Sequence, residues 1–405
     1  YLSLRSLRAL AETENAIALT KGQDLVDGFV NDLPFELTAA QTRVVDEILT
    51  DLSQPHPMMR LIQGDVGSGK TVVAAIACLK AIACDVQTVI MAPTEILAEQ
   101  HWRNFSSWFR PLGIEPAWLS GSQKAAARRE SLASIADGSA RLVVGTHALF
   151  QEGVEFDRLA LVVIDEQHRF GVHQRMALRD KGVGDTGHPH QLVMTATPIP
   201  RTLAMAAYAD LDTSVIDELP PGRQPVSTIA VPDSRRGEIV ERVRAACATG
   251  QQAYWVCPLI EESEVLDYQA AEASYQVLTE ALPELRVGLV HGRMRPAEKE
   301  RGMQAFKDGV IQVLVATTVI EVGVDVPNAS LMIIENAERM GLSQLHQLRG
   351  RVGRGAAQSH CVLLYKPPLG QIAKERLAVL RDTNDGFIVA QRDLELRGPG
   401  ELLGT

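Results

Sequence analysis

A glycine-rich stretch near the start of the chain limits the folds open to this sequence more than any other feature. It carries the pattern G-x-x-x-x-G-K-[ST] at Gly64, Gly69, Lys70 and Thr71. Apolar residues precede it at positions 58–62, and an apolar pattern of helical period follows it over positions 72–82. This order predicts a strand, a glycine loop and a helix, which is the context that a phosphate-binding loop requires.

The loop supplies the groups that a nucleoside triphosphate and its magnesium ion need. Backbone N–H groups surround the phosphates, and the dipole of the following helix favours negative charge at its first turn. Lys70 is expected to neutralise the β- and γ-phosphates, and the Thr71 hydroxyl is expected to hold Mg²⁺. The sequence therefore predicts that ATP is contacted by Gly64, Asp65, Val66, Gly67, Ser68, Gly69, Lys70 and Thr71.

Length and composition indicate a globular protein with a sizeable core. A chain of 405 residues fits about two to three domains. The fractions of hydrophobic residues (46%) and charged residues (22%) are typical of folded proteins. The net charge of −10 gives no general attraction for nucleic acid, although a local basic groove does not need a basic chain.

Cysteine usage and hydropathy favour the cytoplasm. The five cysteines form no C-x-x-C pair, which suits a reducing compartment. No signal peptide is recognisable, and no apolar run is long enough to cross a membrane. The chain begins at Tyr1 rather than at a methionine, and we expect it to be a piece of a longer protein.

Residues ahead of the loop are candidates for recognising the base of the nucleotide. Thr38 is expected to cap a helix. Gln41 offers both a donor and an acceptor to the adenine edge, and Phe35 would cover the face of the ring. The plain alternative is a helix start with no further role. The position of these residues ahead of a phosphate loop favours their role in recognising the base.

Strands and helices alternate after the loop, which predicts a parallel sheet. The predicted strands cover residues 88–91, 141–145, 159–165 and 192–195. Ligands of such sheets bind at the carboxyl ends of the strands. Thr94 and Thr146 follow two of these ends, and we expect them, with the neighbouring N–H groups, to contact the phosphates of DNA. Helix capping explains either threonine equally well when it is taken alone.

An acidic pair ends the most apolar of these strands. Asp165 and Glu166 follow the apolar residues 161–164, and carboxylates in such a place are costly unless they serve a purpose. Asp165 is expected to hold Mg²⁺, and Glu166 to orient and deprotonate the attacking water. Thr195 and Thr197 end the next strand. Their hydroxyls either couple the nucleotide pocket to a surface that binds a polymer or cap a helix.

A Pro/Gly-rich stretch at residues 219–225 marks a domain boundary. A second alternating pattern then predicts strands at residues 226–231, 253–257, 287–290, 312–316, 331–334 and 361–365. This part has no phosphate loop of its own. In the run after one of its strands, Thr318 is a further expected DNA contact, and Gly323 and Asp325 are expected at the nucleotide.

Two arginines in the second half are candidates for contact with the γ-phosphate. Arg351 and Arg354 stand beside glycines and three positions apart, so on a helix they would share one face. Neighbouring guanidinium groups repel each other, and an anion offsets this repulsion. We expect both to be arginine fingers; the alternative is a pair of solvated surface arginines.

In this order the motifs resemble those of superfamily 2 helicases and translocases, and in detail those of the RecG family of ATP-dependent DNA helicases. The resemblance covers residues 34–405. Its most specific runs are LPFELTAAQ (33–41), GDVGSGKT (64–71), DEQHRFGV (165–172), ATPIPRT (196–202), ENAERMGL (335–342) and DLELRGPGE (393–401). The last of these matches the beginning of the translocation motif of that family.

The resemblance implies an α/β fold of two tandem RecA-like parallel-sheet lobes, with helices on both faces and ATP in the cleft. It implies a motor that couples ATP hydrolysis to movement on duplex DNA and remodels stalled forks and branched junctions in recombination and repair. It also implies a wedge domain before Tyr1 and the rest of a translocation hairpin after Thr405.

The expected division of the chain follows from these boundaries. It comprises a helical connection at residues 1–33, a first lobe at 34–216, a linker at 217–225, a second lobe at 226–370 and the start of the translocation segment at 371–405.

Several alternatives stay open. A transcription-repair coupling translocase has a similar motor, and Gln167 argues against it because that group usually has glutamate there. An RNA helicase of the DEAD-box type would have aspartate where His168 stands. A nucleotide-gated DNA-binding scaffold without turnover conflicts with the intact catalytic set. The sequence does not say whether single-strand-binding protein docks here, and nothing in it indicates more than a monomer.

Overall fold

The computed structural model describes residues 14–151, 153–166, 187–196, 211–219, 224–258, 264–317, 326–353, 355 and 358–397. The chain divides into two units, Tyr1–Pro220 and Pro221–Thr405. The division falls inside the predicted linker at residues 217–225, of which residues 220–223 lie outside the described part. The finer domain boundaries stay a prediction.

The first unit is built on a seven-stranded sheet. Its strands are β1 (Met59–Gly64), β2 (Gln87–Met91), β3 (Ala117–Leu119), β4 (Leu142–Gly145), β5 (Leu159–Asp165), β6 (His190–Thr195) and β7 (Asp212–Ile216). They lie in the order β3-β4-β2-β5-β6-β1-β7, and each pair of neighbours is parallel. Parallel strands need crossover connections, and α-helices lie in the connections between β1 and β2, between β2 and β3 and between β3 and β4.

The described helices of the first unit are α1 (Gln23–Asn31), α2 (Ala39–Leu52), α3 (Lys70–Ile82), α4 (Glu95–Phe109) and α5 (Ala125–Ala136), with 3₁₀ turns at Arg110–Leu112 and His147–Phe150. They cover both faces of the sheet. Leu161 and Val163 of β5 belong to the core that contains α3, whereas Val162 and Ile164 belong to a second core that contains Ile135 of α5. Because successive side chains of a strand point to opposite faces, the two cores lie on opposite sides of the sheet.

Local sequence determines where two of these helices begin. Thr38 accepts a hydrogen bond from the backbone N–H of Gln41, and the Gln41 side chain accepts one from the N–H of Thr38, so the two residues form a capping box at the start of α2. Gly69 precedes α3 with a φ of 86°, in the left-handed region where a side chain would be strained.

The first described residues differ from the helical connection that we expected at residues 1–33. The helix extends only over Gln23–Asn31, and residues 1–13 lie outside the described part. Before the helix, the N–H groups of Ala16 and Leu19 donate to the carbonyls of Pro55 and Leu52. The backbone of this stretch is thus paired with the end of α2 and with the residues that follow it, and not with itself as in a helix.

The second unit is built on a six-stranded parallel sheet of order β10-β11-β9-β12-β13-β8. Its strands are β8 (Ser227–Pro232), β9 (Gln252–Val256), β10 (Val287–Val290), β11 (Val313–Ala316), β12 (Ala329–Ile334) and β13 (His360–Tyr365). The described helices are α6 (Arg236–Ala248), α7 (Glu264–Ala281), α8 (Pro296–Lys307), α9 (Leu342–Arg349), α10 (Gln371–Asp382) and α11 (Gly386–Arg397), with 3₁₀ turns at Asp233–Arg235 and Ala337–Arg339.

Alternation along the strands again produces two cores in the second unit. Tyr254 and Val256 of β9 face a core shared with α9 and α10, whereas Ala253 and Trp255 face one shared with α6. Each sheet is thus covered on both faces, as parallel sheets require. This confirms the predicted fold class of two RecA-like parallel-sheet lobes with helices on both faces.

All ten strands that we predicted outside the phosphate loop are present, with ends that differ by one or two residues. The strands β3 and β7 were missed. β3 is apolar but has only three residues, too few for a recognisable pattern, and β7 begins with polar residues. None of the described helices is long and apolar enough to span a bilayer.

Candidate functional site

The phosphate loop connects the end of β1 to the start of α3, as predicted. Gly67 and Gly69 have φ angles of 79° and 86°, which only glycine adopts without strain. A Cβ on Gly64 would lie 2.6 Å from Ser68 Oγ, and one on Gly69 would lie 2.1 Å from Gln41 Nε2. The glycines are therefore required both by the backbone conformation and by close packing around the loop.

The ammonium group of Lys70 lies within the loop that precedes it. Lys70 Nζ donates to the backbone carbonyl of Gly64 at 2.6 Å and to that of Asp65 at 2.9 Å. The side chain is buried, and a buried ammonium needs such partners. The two contacts hold Lys70 at the mouth of the loop, where a phosphate group would compete with carbonyl oxygens for it.

The residues present fit a triphosphate. Ser68 Oγ is buried and has no hydrogen-bond partner among the described residues, so it is available to a bound anion. The loop leads directly into the first turn of α3, and the helix dipole favours an anion there. Thr71 lies half-buried in that first turn, at the position expected for the magnesium ligand.

Gln41 contacts the loop itself. Its Nε2 donates to the carbonyl of Ser68 at 2.8 Å, while its Oε1 accepts from the N–H of Thr38 at 2.9 Å. The side chain is only 2% exposed. Phe35, by contrast, is 45% exposed, as a residue that covers a base would be. The adenine-binding role of this pair stays a prediction, and the contact between Gln41 and the loop is one that the sequence did not indicate.

Asp165 ends β5 beside a histidine that the sequence did not single out. His101 Nε2 lies 2.8 Å from Asp165 Oδ2. Burial alone would raise the pKa of Asp165, but the hydrogen bond from His101, the charges of His101 and Lys70 and the backbone N–H of Glu166 together lower the pKa below its usual value. Asp165 is therefore an anion, as a magnesium ligand must be.

A magnesium site of this kind needs few protein ligands. The described residues contain no cluster of three or more His, Cys, Asp or Glu side chains arranged to hold a metal. Mg²⁺ in nucleotide sites usually takes one or two side chains together with phosphate oxygens and water. Two side chains, the predicted Asp165 and Thr71, are therefore enough in number for such a site, and their role as magnesium ligands stays a prediction.

Glu166 adopts an unusual backbone conformation. Its φ is 53°, a strained value for a residue other than glycine, and residues with such values cluster at functional sites. Its N–H donates to the carbonyl of Met194 at 2.9 Å, and its Oε1 accepts from the N–H of Ala196 at 3.2 Å. The Thr195 hydroxyl lies 3.5 Å from Oε2. Glu166 is thus fixed by the end of β6, which joins the acidic pair to the predicted Thr195 motif.

The two threonines predicted to contact DNA differ in exposure. Thr94 is half-buried at the start of α4, where its hydroxyl accepts the N–H of Leu97. Thr146 is 2% exposed, and its hydroxyl has no partner among the described residues. Thr94 therefore caps its helix with its side chain, whereas Thr146 precedes the 3₁₀ turn His147–Phe150 without a side-chain capping bond. Their contacts with DNA stay predictions.

Arg351 does not lie on a helix, which was the condition under which it would share a helix face with Arg354. Helix α9 ends at Arg349, and Arg351 lies in the turn after it. Gly350, which follows the helix, keeps right-handed angles, and the chain turns beyond it at Gly353, whose φ of 82° suits glycine. Arg354, together with Thr318, Gly323 and Asp325, lies outside the described residues.

Arg349 has a structural role that the sequence concealed. It is buried, and its Nη1 donates to the carbonyls of Leu380 and Thr383 at 2.7 and 2.8 Å. These carbonyls lie at the end of α10, where helical carbonyls lack internal partners. Its Nη2 donates to His346 Nδ1 at 2.8 Å. Arg349 therefore fastens α10 to the segment that carries Arg351.

Comparisons with known proteins agree with this geometry. The family model described as DEAD/DEAH box helicase matches residues 38–206, and the model described as helicase conserved C-terminal domain matches residues 238–356. The chain is 66% identical over 405 residues to the ATP-dependent DNA helicase RecG of Escherichia coli strain K12, and 62% identical over 405 residues to that of Haemophilus influenzae. The chain belongs to the RecG family.

A solved structure supports the same family at the level of the fold. The structure of RecG bound to a three-way DNA junction matches 99% of this chain with a TM-score of 0.84 and 44% sequence identity. The chain spans 58% of the length of those two RecG relatives and 52% of the chain in that structure.

Proposed function

We propose that this chain is the motor of an ATP-dependent DNA helicase that moves on duplex DNA and remodels forks and branched junctions. The observation that carries the proposal is the grouping of Lys70, Asp165 and Glu166. Lys70 is held at the phosphate loop, its charge acts on Asp165, and Glu166 is fixed beside it by Ala196. A cation, an ionised carboxylate and an oriented base in one place are the requirements for triphosphate hydrolysis.

In this proposal each group has one task. Lys70 leaves the carbonyls of Gly64 and Asp65 and binds the β- and γ-phosphates. Thr71 and Asp165 hold Mg²⁺, which when bound neutralises charge on the phosphate oxygens. Phe35 covers the base, and Gln41 stabilises the loop that surrounds the phosphates.

Glu166 is proposed as the general base. Its Oε1 accepts the N–H of Ala196, and this contact leaves the carboxylate in one orientation. A base fixed in this way accepts a proton from a water molecule in line with the γ-phosphate. Thr195 and Ala196 belong to the end of β6, so the orientation of the base depends on that strand end.

Arg351 and Arg354 are proposed as arginine fingers, with Gly323 and Asp325 as further nucleotide contacts. A guanidinium group stabilises the charge that develops on the transferred phosphoryl group. Both arginines belong to the second unit, whereas the phosphate loop belongs to the first.

DNA is proposed to bind through its phosphates at Thr94, Thr146 and Thr318. Support comes from the relatives, which are named ATP-dependent DNA helicases, and from the structural neighbour, which is bound to a three-way DNA junction. Roles in recombination and repair stay predictions that rest on the family resemblance. A monomeric state and docking of single-strand-binding protein stay predictions.

The test is the ATPase rate of the chain on a panel of DNA and RNA ligands. The panel contains single strands, duplexes, forks and three-way junctions of equal total length. The proposal expects stimulation by DNA that contains duplex, with the strongest stimulation by branched forms. A rate that is the same with every ligand and without any ligand would contradict a DNA-driven motor, and stimulation by RNA alone would favour an RNA helicase.

A further inference from the structure

His101, which is buried, and Asp165, which is half-buried, form a pair that the proposed chemistry has not used. The two side chains come from positions 64 residues apart and meet at 2.8 Å. His101 is 5% exposed. Because Asp165 is ionised, the histidine nitrogen that faces it must be the donor, so Nε2 carries the proton.

The position of His101 is fixed from its own helix. The ring of Phe105, four residues further along α4, packs edge to face against the His101 ring. The two ring centroids lie 6.4 Å apart. Phe105 is fully buried and packs in turn against Trp108 and Phe109. An aromatic cluster therefore holds the histidine ring, and rotation of the ring away from Asp165 would disturb this packing.

We infer that His101 is a positioning residue for the magnesium ion: its hydrogen bond fixes the orientation of the Asp165 carboxylate and so sets the affinity of the nucleotide site for Mg²⁺. This inference rests on the proposed function, because it assumes that Asp165 is a magnesium ligand.

The physical reason is the geometry of a carboxylate. A carboxylate with both oxygens free rotates about its Cβ–Cγ bond and offers each oxygen in several directions. Asp165 Oδ2 accepts a hydrogen bond from His101, and this bond limits the rotation of the carboxylate. The other oxygen, Oδ1, is therefore held in one orientation toward the metal ion. Metal-ligating side chains are commonly held by such outer partners, and loss of the partner typically lowers metal affinity about 10–100-fold.

The experiment compares variants that differ only in the donor. His101→Phe keeps a ring against Phe105 but has no N–H, whereas His101→Gln places an amide nitrogen the same number of bonds from the backbone as Nε2. The matched control is His190→Phe, because His190 is also a buried histidine of the first unit and bonds only backbone groups, the N–H of Met58 and the carbonyl of Ile17.

The readout is the affinity of each protein for a fluorescent ADP analogue, measured in magnesium and in EDTA. The ratio of the two affinities reports magnesium binding without hydrolysis. We expect His101→Phe to reduce this ratio about tenfold or more, His101→Gln to recover most of it, and His190→Phe to leave it at the parental value.

Each contrary outcome has a separate meaning. A parental protein whose ADP affinity ignores magnesium contradicts the proposed site as a whole. A parental ratio in folded His101→Phe overturns the role of His101 alone, and so does an equal fall of the ratio in His190→Phe, since a general loss of stability then explains it. If His101→Phe fails to fold, His101→Leu takes its place, and equal ratios in His101→Leu and His101→Gln overturn the inference.

Discussion

Gln41 Nε2 donates to the backbone carbonyl of Ser68 at 2.8 Å, and this bond ties the phosphate loop to the helix α2 that precedes it. The other end of the same amide accepts the N–H of Thr38 and closes the capping box of α2. One side chain thus fixes both the start of a helix and the conformation of a loop. The residue predicted to recognise the base therefore also acts on the part of the site that binds phosphates.

Replacing Gln41 separates these two roles. In Gln41→Ala the Ser68 carbonyl loses a partner worth about 1 kcal/mol, which corresponds to about fivefold in affinity. We expect binding of inorganic tripolyphosphate to weaken by that factor, because tripolyphosphate has no base. We also expect the preference for ATP over GTP to fall toward equality, and both affinities can be measured by competition with a fluorescent ADP analogue.

Phe35→Ala is the control for the base. It removes an exposed ring and leaves the contact between Gln41 and Ser68 intact, so tripolyphosphate binding should stay parental while ATP binding weakens. Unchanged tripolyphosphate binding in Gln41→Ala would remove the role in the loop. An unchanged ratio of ATP to GTP affinity in that variant would remove the role at the base.

Features of the fold that depend on neighbouring residues were predictable from the sequence. The strand β5 has an uninterrupted apolar run that only a buried parallel strand tolerates, and Gly69 and Lys70 mark the start of α3 by local chemistry. β3 and β7 pair at the margins of the sheet, where burial imposes a weaker pattern, so their sequences carry little signal.

Contacts between distant residues were not predictable. Neither His101 nor Asp165 indicates the other, because the contact depends on how α4 packs against the end of β5. The contact between Glu166 and Ala196 depends in the same way on the pairing of β5 with β6. The sequence indicated the residues for which we propose chemical roles, whereas the residues that orient them became visible only in three dimensions.

Glu166→Gln tests the general base. The amide keeps an oxygen that accepts the N–H of Ala196, so the shape of the site is conserved, but it cannot take a proton from water. We expect ATP to bind with near-parental affinity and turnover to fall about 10²–10⁴-fold. Binding is measured in equilibrium titrations and turnover as phosphate release with DNA present. Parental turnover in this variant would exclude Glu166 as the base.

Arg351→Ala and Arg354→Ala test the fingers. Because a finger acts on the transition state, turnover should fall by as much as about 10³–10⁵-fold, with a far smaller effect on ATP binding. A single-turnover assay with saturating DNA separates the two effects. Arginine variants that retain the parental rate would show that the side chain in question is not a finger.

Arg349→Met tests the structural role of a buried arginine that is not proposed as a finger. It leaves the carbonyls of Leu380 and Thr383 without their donor, and a buried acceptor without a partner costs about 1–3 kcal/mol. We therefore expect a lower midpoint of chemical unfolding for Arg349→Met than for the parent. Equal midpoints for Arg349→Met and the parent would mean that α10 is held by other contacts.

The salt dependence of DNA binding tests whether the contacts are made to phosphates. Phosphate contacts release counterions, so the logarithm of the affinity should fall linearly with the logarithm of the salt concentration, with a slope of about −0.9 for each contact. Affinity for duplexes of different sequence should be equal at each salt concentration. A shallow slope together with a strong preference for one sequence would contradict phosphate recognition.

His190 predicts a dependence of stability on pH. Its ring is fully buried at the start of β6, where Nδ1 accepts the N–H of Met58 at 2.9 Å and Nε2 faces the carbonyl of Ile17 at 2.9 Å. Burial lowers the pKa of His190 below its ordinary value of 6.5, and the hydrogen bond to Ile17 offsets part of this effect. Protonation would place a second N–H against that of Met58.

The unfolded chain therefore binds this proton more readily than the folded protein. Stability is complete above pH 6.5 and decreases as the pH falls from 6.5 toward the lower pKa of the folded state. We expect the free energy of unfolding of the parent to fall between about pH 7.5 and about pH 5.5. In His190→Phe it should be lower at the higher pH, because Met58 and Ile17 lose their partner, and it should fall less steeply across the interval. Denaturant titrations at the two pH values measure both differences, and equal pH slopes in the two proteins would show that other groups cause the dependence.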